Sequence, residues 1–422
     1  MTFLSPEALP AAIDQPQMRR AGRELLSLAL MDARNHSLHL LGCFEEAMAG
    51  ASALAVPQRA DLELPVWLGG HVAWFAEYWI SRNPQRALGP ACPADPVRLA
   101  SIDPMADSWF NPLLAPHAAR WQLALPDMQA VRAYLLETHE SVLELLDKTP
   151  EDDSALHFFR AALFHEDLRG AQWRPPAPAR GRAGRRARPP GRAPREPVLV
   201  PAGRWLLGMA ESGFAFDIEQ PAHEVEVPEF EIDAQPVSWA RYVEFVDDGG
   251  YDRQELWQPA GWAWLQVEAQ GEGRRGPRHV EQIGVASGAV LQTHFGKSTR
   301  MAGTQATMHL SWWEADAWAR WPGRRLPTEV EWEMAAHQAG RRGFRWGDVR
   351  EWTASTLRPW PGFTPAAWTL GSDLEAQPHF GVARVQRGAS FAARARMKSP
   401  RLRRFALPER DDGFVGFRSC AL

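Results

Sequence analysis

The stretch that decides the fold is Phe-Arg-Trp-Gly-Asp-Val-Arg-Glu-Trp-Thr-Ala-Ser, residues 344–355. It follows Arg-Arg-Leu-Pro-Thr-Glu-Val-Glu-Trp-Glu at 324–333, and it precedes Arg-Gly-Ala-Ser-Phe at 387–391 and Gly-Phe-Val-Gly-Phe-Arg at 413–418. Neither a helical repeat nor strand alternation explains such a density of tryptophan, glycine and proline. Long loops of specific shape, held by aromatic side chains, explain it, and such loops often carry function.

In this order, the four motifs resemble the catalytic domain of the formylglycine-generating-enzyme/sulfoxide-synthase superfamily. The resemblance implies an α+β fold of the C-type-lectin kind with little regular structure. This superfamily hosts several chemistries, so the fold alone does not name the reaction. The formylglycine-generating branch uses paired cysteines in this domain, whereas only Cys420 is present here. That branch is therefore disfavoured.

Composition places broad limits on the protein. A chain of 422 residues suggests two or three domains, and 45% hydrophobic with 23% charged residues is typical of a soluble globular protein. Its three cysteines, Cys43, Cys92 and Cys420, form neither a disulfide framework nor a Cys-x-x-Cys metal motif. No signal-peptide pattern begins the chain, and no run reaches the roughly 18 apolar residues that cross a bilayer. We expect a cytoplasmic protein without a membrane partner.

Helical periodicity dominates residues from about 15 to 165. Apolar residues recur at intervals of three and four in four runs, at 22–44, 67–80, 128–146 and 156–168. Four helices of this kind predict an up-down bundle, which can hold a metal on its inner faces. We therefore expect three regions: a helical bundle over 1–168, a linker over 169–197 and a catalytic domain over 198–422.

Two histidines lie on different predicted helices, His71 in Gly-His-Val-Ala-Trp-Phe and His165 in Phe-His-Glu-Asp-Leu. A single histidine on a helix face is usually an ordinary one, but two inward-facing histidines in one bundle favour a metal site. These segments resemble the DinB-type bundle of ergothioneine-type sulfoxide synthases. The resemblance implies an Fe(II) ion bound by His71 and by a His-x-x-x-His pair on the fourth helix, with O2 as co-substrate. Residues at i and i+4 share one helix face, and three nitrogen ligands leave positions open on the metal.

The sequence departs from this pattern at the third ligand, where Arg169 stands. A guanidinium has no lone pair to give a metal. His157 lies two helical turns before His165, about 80° away around the helix, so it would need distortion to replace the missing ligand. The chain as written therefore predicts two ligands, His71 and His165.

An unusual tract begins at the same point. Residues 169–195 contain nine Arg, six Pro and no acid. The tract is interpreted first as a linker. Nucleic-acid binding is a second interpretation, which is disfavoured because Trp173 is the only aromatic side chain available to stack on bases. A third hypothesis is an out-of-frame stretch bracketed by two compensating indels.

The resemblance also implies an acceptor substrate, hercynine, which is a trimethylated histidine. Residues 400–412 resemble the loop that contacts it, although Leu-Arg-Arg at 402–404 stands where family members tend to carry Tyr-Arg-Asn. Aromatic side chains can hold its quaternary ammonium by cation–π attraction. The candidate substrate-binding residues are Arg82, Arg86, Arg404, Phe405, Arg410, Asp411, Asp412 and Phe414. Two of them, Arg82 and Arg86, are equally consistent with a solvated helix face. The family uses an active-site tyrosine as proton donor, but no tyrosine lies between residues 351 and 391, so no catalytic residue is assigned.

Within the family, three segments resemble the selenoneine synthases: Asp-Ala-Arg-Asn at 32–35, Glu-Tyr-Trp-Ile-Ser-Arg-Asn at 77–83 and Arg-Leu-Ala-Ser-Ile at 98–102. This resemblance implies that selenium from a donor such as a selenosugar is joined to C2 of the hercynine imidazole. One alternative is a sulfoxide synthase that uses a thiol donor. The other is an iron-deficient pseudoenzyme that keeps the scaffold as a binding module.

Overall fold

Helices fill the first part of the chain, and most strands lie in the second. The computed structural model describes residues 9–48, 56–93, 95, 97–170, 189–210, 212–272, 274–284, 289–294 and 297–422. The α-helices are α1 Leu9–Ile13, α2 Arg23–Met48, α3 Pro65–Ala76, α4 Ala106–Phe110, α5 Met128–Asp147, α6 Asp153–Gly170, α7 Trp239–Asp247, α8 Pro259–Glu272, α9 Trp312–Arg320 and α10 Glu329–Gln338. The strands are β1 Val198–Val200, β2 Gly203–Leu207, β3 His223–Val227, β4 Phe230–Ile232, β5 Val280–Gly284, β6 Ala289–His294, β7 Lys297–Met301, β8 Arg350–Thr356, β9 Arg384–Arg387, β10 Arg403–Ala406 and β11 Val415–Phe417.

The four long helices α2, α3, α5 and α6 pack on one another, at the places where the apolar periodicity predicts helices. Every residue of α3 is buried, and its last α-helical residue, Ala76, is followed by a π-helical turn over Glu77–Ser81. Such a turn often occurs at functional sites. Among the described residues, no helix is both long enough and apolar enough to cross a membrane.

Among the described residues, the strands form four small sheets, which lie in the same part of the chain as α7–α10. The largest has the order β10–β9–β8–β11, with β11 parallel to β8 and the other pairs antiparallel. The remaining sheets are β1–β4, β2–β3 and β5–β6–β7. Segregated helices and short antiparallel sheets confirm the prediction of an α+β protein.

The four sequence motifs meet at two buried ion pairs beside the largest sheet. Glu351 on β8 accepts bidentate hydrogen bonds from Arg418, at 2.5 and 2.8 Å, and a third from Trp332 Nε1 at 2.9 Å. Arg387 at the end of β9 donates to Glu333 of α10 at 2.6 Å, and the following Gly388 has φ +72° with a Cβ position only 2.9 Å from the Trp332 ring. Glycine is required at that position by both conformation and space.

The helical part and the sheet-containing part share one hydrophobic core. Phe164 of α6 stacks on Phe214, and Phe75 of α3 lies edge-on to Trp368. Buried ion pairs cross the same interface: Arg19 with Glu219, and Arg396 with Asp167. Since both apolar and charged contacts cross it, the interface fixes how the two parts are arranged.

Most of the Arg-rich tract, residues 171–188, lies outside the described residues. The part that is described rests on the sheet-containing region. The carbonyl of Pro189 accepts from Gln305 Nε2 at 2.7 Å, and Arg192 pairs with Asp348 of the Trp-Gly-Asp motif, with a contact of 2.7 Å from Nη2 to Oδ1. At least this one arginine of the tract is therefore already paired within the protein.

A buried histidine makes the stability of the protein depend on pH. His157 packs against Phe158 and Phe214, and burial, with a further contribution from Arg160, lowers its pKa to about 4. The unfolded chain, with a histidine pKa of about 6.5, then binds more protons than the folded chain between pH 4 and 6.5. Stability is therefore lost as the pH falls through this window.

The free energy of unfolding of the parent chain falls between pH 7 and pH 4.5, and His157 accounts for about 2 kcal/mol of that fall. We expect the fall to be smaller by this amount in His157→Leu. Urea unfolding of both chains at the two pH values measures this difference. The His139→Leu variant is the matched comparison, since burial also lowers the pKa of His139 to about 4. Equal losses in the parent and in His157→Leu would show that His157 does not contribute.

Candidate active site

A cavity of about 560 Å³ lies between the end of α6 and the segment that runs from β10 to β11. Its wall includes Trp67 of α3, Arg169 of α6, and Phe405 and Phe414 from the C-terminal segment. A cavity of this size, at the meeting point of two packed regions, is a typical location for a small-molecule site.

Two histidines face each other directly behind this cavity. His71 and His165 are 1% and 2% exposed, and their Nε2 atoms are 3.2 Å apart. The His71 ring stacks on Trp67, and the His165 ring stacks on Phe75. His71 Nδ1 lies 2.9 Å from the carbonyl oxygen of Phe110, which can only accept, so Nδ1 carries the proton and Nε2 keeps its lone pair.

Both imidazoles are neutral at pH 7. Burial, followed by the nearby charge of Arg169, holds the pKa of His71 and of His165 well below the usual range. Neutral imidazole is the form that binds metals. The 3.2 Å separation is also about that of two adjacent nitrogens held near 2.1 Å from one metal ion.

Arg169 contacts the histidine pair and also a carboxylate. Its Nε donates to His165 Nε2 at 3.2 Å, and its Nη1 lies 2.5 Å from Asp373 Oδ1. Arg169 lines the cavity, whereas neither histidine does. The guanidinium therefore stands between the histidine pair and the cavity.

The donor set does not fit a three-ligand metal centre. In the part of the chain that the structure describes, no three His, Cys, Asp or Glu side chains form a group that could hold a metal ion. Two imidazole nitrogens converge, but the neighbour at the third position is a permanent cation without a lone pair. The site therefore offers two imidazole ligands, and a guanidinium occupies the position of the third.

Several arginines of the cavity wall are paired with carboxylates. Four of its arginines form ion pairs: Arg120 with Glu63, Arg169 with Asp373, Arg394 with Asp32, and Arg410 with Asp412. These pairs line a polar cavity, while Trp67, Phe405 and Phe414 supply apolar surface beside them.

The chain is similar to known enzymes along nearly its whole length. A hercynine oxygenase of Mycolicibacterium thermoresistibile is 32% identical, with 94% of each chain covered, and that of Mycolicibacterium smegmatis is 32% identical over 94% of this chain and 98% of the relative. The chain belongs to the hercynine oxygenase family. A formylglycine-generating enzyme of Streptomyces coelicolor is 36% identical over only 41% of this chain and 57% of its own. The domain family described as "Sulfatase-modifying factor enzyme 1-like domain" matches residues 184–348.

In this member of the hercynine oxygenase family, most of the substrate-binding residues predicted from the sequence lie together around the cavity. The cavity wall contains Arg404, Phe405, Arg410, Asp412 and Phe414. The neighbouring Asp411 is outside the lining and is buried, where it accepts from Arg274 and Arg278, each at 2.8 Å.

The other two predicted residues lie away from the cavity. Arg82 makes a bidentate ion pair with Asp107, at 2.8 and 2.9 Å, and also donates to the Leu99 carbonyl. Arg86 follows the π-helical turn and donates weakly to Asn83 O at 3.4 Å. Neither side chain lines the cavity. A role for Arg82 and Arg86 in holding a donor substrate remains a prediction.

Sequence reasoning missed three charged residues of the site: Glu63, Arg120 and Asp373. Glu63 precedes α3, and burial raises its pKa against the effect of Arg120. Asp373 lies in a turn 204 positions from its partner Arg169. Isolated charges in loops carry no periodic signal, and only the approach of distant segments gives them a role.

Proposed function

We propose that this member of the hercynine oxygenase family is an O2-dependent enzyme that joins selenium from a selenosugar donor to C2 of the hercynine imidazole. The observation that carries the proposal is the cavity, because residues from the helical region and from the hercynine-loop-like segment line it together. Similarity to hercynine oxygenases over 94% of the chain supports hercynine as the acceptor and O2 as co-substrate.

The choice of selenium rests on the segments at 32–35, 77–83 and 98–102, which resemble selenoneine synthases. A thiol donor is the alternative, and the product would then be a sulfoxide. The cavity accommodates either donor by size, since about 560 Å³ lies within the usual range for small-molecule sites.

The proposed domain organisation has the three regions predicted from the sequence. We propose a DinB-like bundle over 1–168, a connecting segment over 169–197 and a catalytic region over 198–422. Fe(II) held by His71 and His165 is the cofactor that the family resemblance implies, but the third ligand position is filled by Arg169, whose guanidinium cannot bind a metal. The unpaired cysteines Cys43, Cys92 and Cys420 support a reducing cytoplasmic location.

Arg169 favours a second candidate function, a metal-poor binding protein that retains the hercynine cavity. Such a protein binds hercynine but does not turn it over. The two candidates therefore predict the same binding and different chemistry.

The deciding experiment supplies the protein with Fe(II) without oxygen, then adds O2, hercynine and one donor. The donors are a selenosugar selenol, γ-glutamylcysteine and cysteine, and mass spectrometry detects coupled products. We expect a selenium product and little sulfur product. A sulfur product alone would select the thiol-using alternative, and bound but unchanged hercynine would select the binding protein.

A further inference from the structure

Residues 274–279, between α8 and β5, connect two walls of the cavity without lining it. Arg278 Nη2 donates to Asp61 Oδ2 at 2.8 Å, and Asp61 belongs to the wall formed by the residues before α3. Arg278 Nη1 donates to Asp411 Oδ1, also at 2.8 Å, and Asp411 belongs to the segment that runs from β10 to β11. One guanidinium therefore bridges the helical part and the sheet-containing part beside the cavity.

Cations and anions alternate along a chain of ion pairs that begins near the cavity and ends in the core. Its contacts measure between 2.8 and 3.0 Å, and its members are, in order, Arg59, Asp61, Arg278, Asp411, Arg274 and Glu314. The three positive and three negative charges balance. Because Asp61 and Asp411 both contact Arg278, loss of this cation would leave two neighbouring carboxylates that repel each other. The two walls would then be pushed apart.

The backbone next to Arg278 is strained. His279 and His309 have φ values of +67° and +61°, and in the part of the chain that the structure describes they are the only residues other than glycine with positive φ. Their ring centroids are 5.0 Å apart, and the His309 ring lies 5.2 Å from that of Phe414 on the cavity wall. Such a conformation persists only where the surrounding contacts hold it, and it is frequent at ligand-binding sites. Residues 274–279 are therefore held in one specific position behind the wall.

We infer that Arg278 is a positioning residue of the cavity, which holds the segment before α3 against the segment from β10 to β11 and thereby slows the escape of a bound ligand. It acts through Asp61 and Asp411 and does not touch the ligand. A guanidinium suits this role because its separate N–H groups reach two carboxylates at once. A merely structural arginine would instead affect the whole protein rather than these two segments.

Hydrogen–deuterium exchange followed by mass spectrometry tests this role without any ligand. We expect Arg278→Met to raise amide exchange about tenfold in residues 57–64 and 408–416 and to leave α6 and β8 unchanged. Asp61→Asn should act in the same direction but more weakly. This variant keeps the pair between Arg278 and Asp411, so it carries the test even where Arg278→Met folds poorly.

Two further variants control for charge and for the loss of an arginine. Arg278→Lys keeps the cation and should restore most of the protection. Arg253→Met is the matched control, because Arg253 also holds two carboxylates, Asp248 at 2.7 Å and Glu255 at 3.0 Å, but on the surface outside the cavity lining. It should leave the exchange of both wall segments unchanged.

A second measurement uses hercynine as the ligand, a choice that rests on the proposed function. We expect Arg278→Met to bind hercynine about tenfold more weakly than the parent chain, chiefly through faster dissociation. Arg253→Met should bind it as the parent does. Surface plasmon resonance on the immobilised chains measures both rate constants.

The outcomes separate this role from the proposed function. Unchanged exchange at both walls in Arg278→Met and Asp61→Asn would overturn the role of Arg278, and so would exchange raised throughout the chain. Exchange raised only at the walls, with unchanged dissociation of hercynine, would show that the bridge does not retain the ligand. Exchange raised only at the walls, with no hercynine binding by the parent chain, would overturn the proposed function and support the bridge between the walls.

Discussion

An Arg169→His variant is expected to bind one divalent transition-metal ion per chain at least about 100-fold more tightly than the parent chain. Residue 169 is one helical turn beyond His165 on the same face of α6, so a histidine there completes a three-imidazole set with His71. Loss of an outer-shell hydrogen-bond partner typically lowers metal affinity about 10–100-fold. The gain in affinity here should be larger, because the substitution adds a ligand that binds the metal directly. Equilibrium dialysis with Co(II), together with its visible absorption spectrum, measures affinity and coordination.

Two further variants identify the cause of the gain. Arg169→Gln removes the positive charge without adding an imidazole, and it should recover only a small part of the affinity. His165→Ala in the Arg169→His background should abolish the gain. Tight, stoichiometric metal binding by the parent chain would contradict the two-ligand description and show that another side chain completes the site.

The Arg169→His substitution should change the stability of the folded state little. The Arg169 side chain is buried, but its partner Asp373 has a side chain that is 45% exposed, so water can solvate the carboxylate after substitution. The unfolding temperatures of the parent and of Arg169→His should therefore be close.

A Glu351→Ala variant should lose about 3–5 kcal/mol of folding free energy. Both Glu351 and Arg418 have side chains with 0% exposure, and the alanine leaves the Arg418 cation and the Trp332 N–H without their acceptor. One substitution therefore breaks the contacts that join three of the four motifs. Chemical unfolding followed by tryptophan fluorescence measures the loss.

The matched control is Glu226→Ala. Its partner Arg204 lies 3.5 Å away, and the two side chains are 73% and 83% exposed, so the cost should stay below about 1 kcal/mol. Glu351→Gln, which keeps a hydrogen-bond acceptor, should fall between the two. A loss below 1 kcal/mol for Glu351→Ala would contradict a central structural role for this carboxylate.

The sequence predicted the four long helices because apolar periodicity is a local signal. The shorter helices α9 and α10 were not part of that prediction, although each begins with a capping box, at Ser311 and Thr328, reciprocated by a glutamate three residues later. The density of tryptophan and glycine correctly indicated structured loops, although it did not show that the motifs converge on Glu351. That convergence depends on the packing of segments far apart in the chain.

The candidate site could be predicted only in part. Its histidines and the segment around Arg404 were found from motifs, and the substitution at Arg169 was visible at once. Glu63 and Asp373 could not be found, because their roles come from ion pairs with partners 57 and 204 positions away.

The shared core between the helices and the sheet-containing region has a consequence for how this gene can change. Phe164 on Phe214, and Arg396 on Asp167, already hold the two halves in register. The chain that joins the halves is therefore not needed to position them. We therefore expect insertions or deletions of whole codons between residues 170 and 189 to leave the fold intact, whereas exchange of either half for that of a distant relative would have to preserve the contacts between the halves.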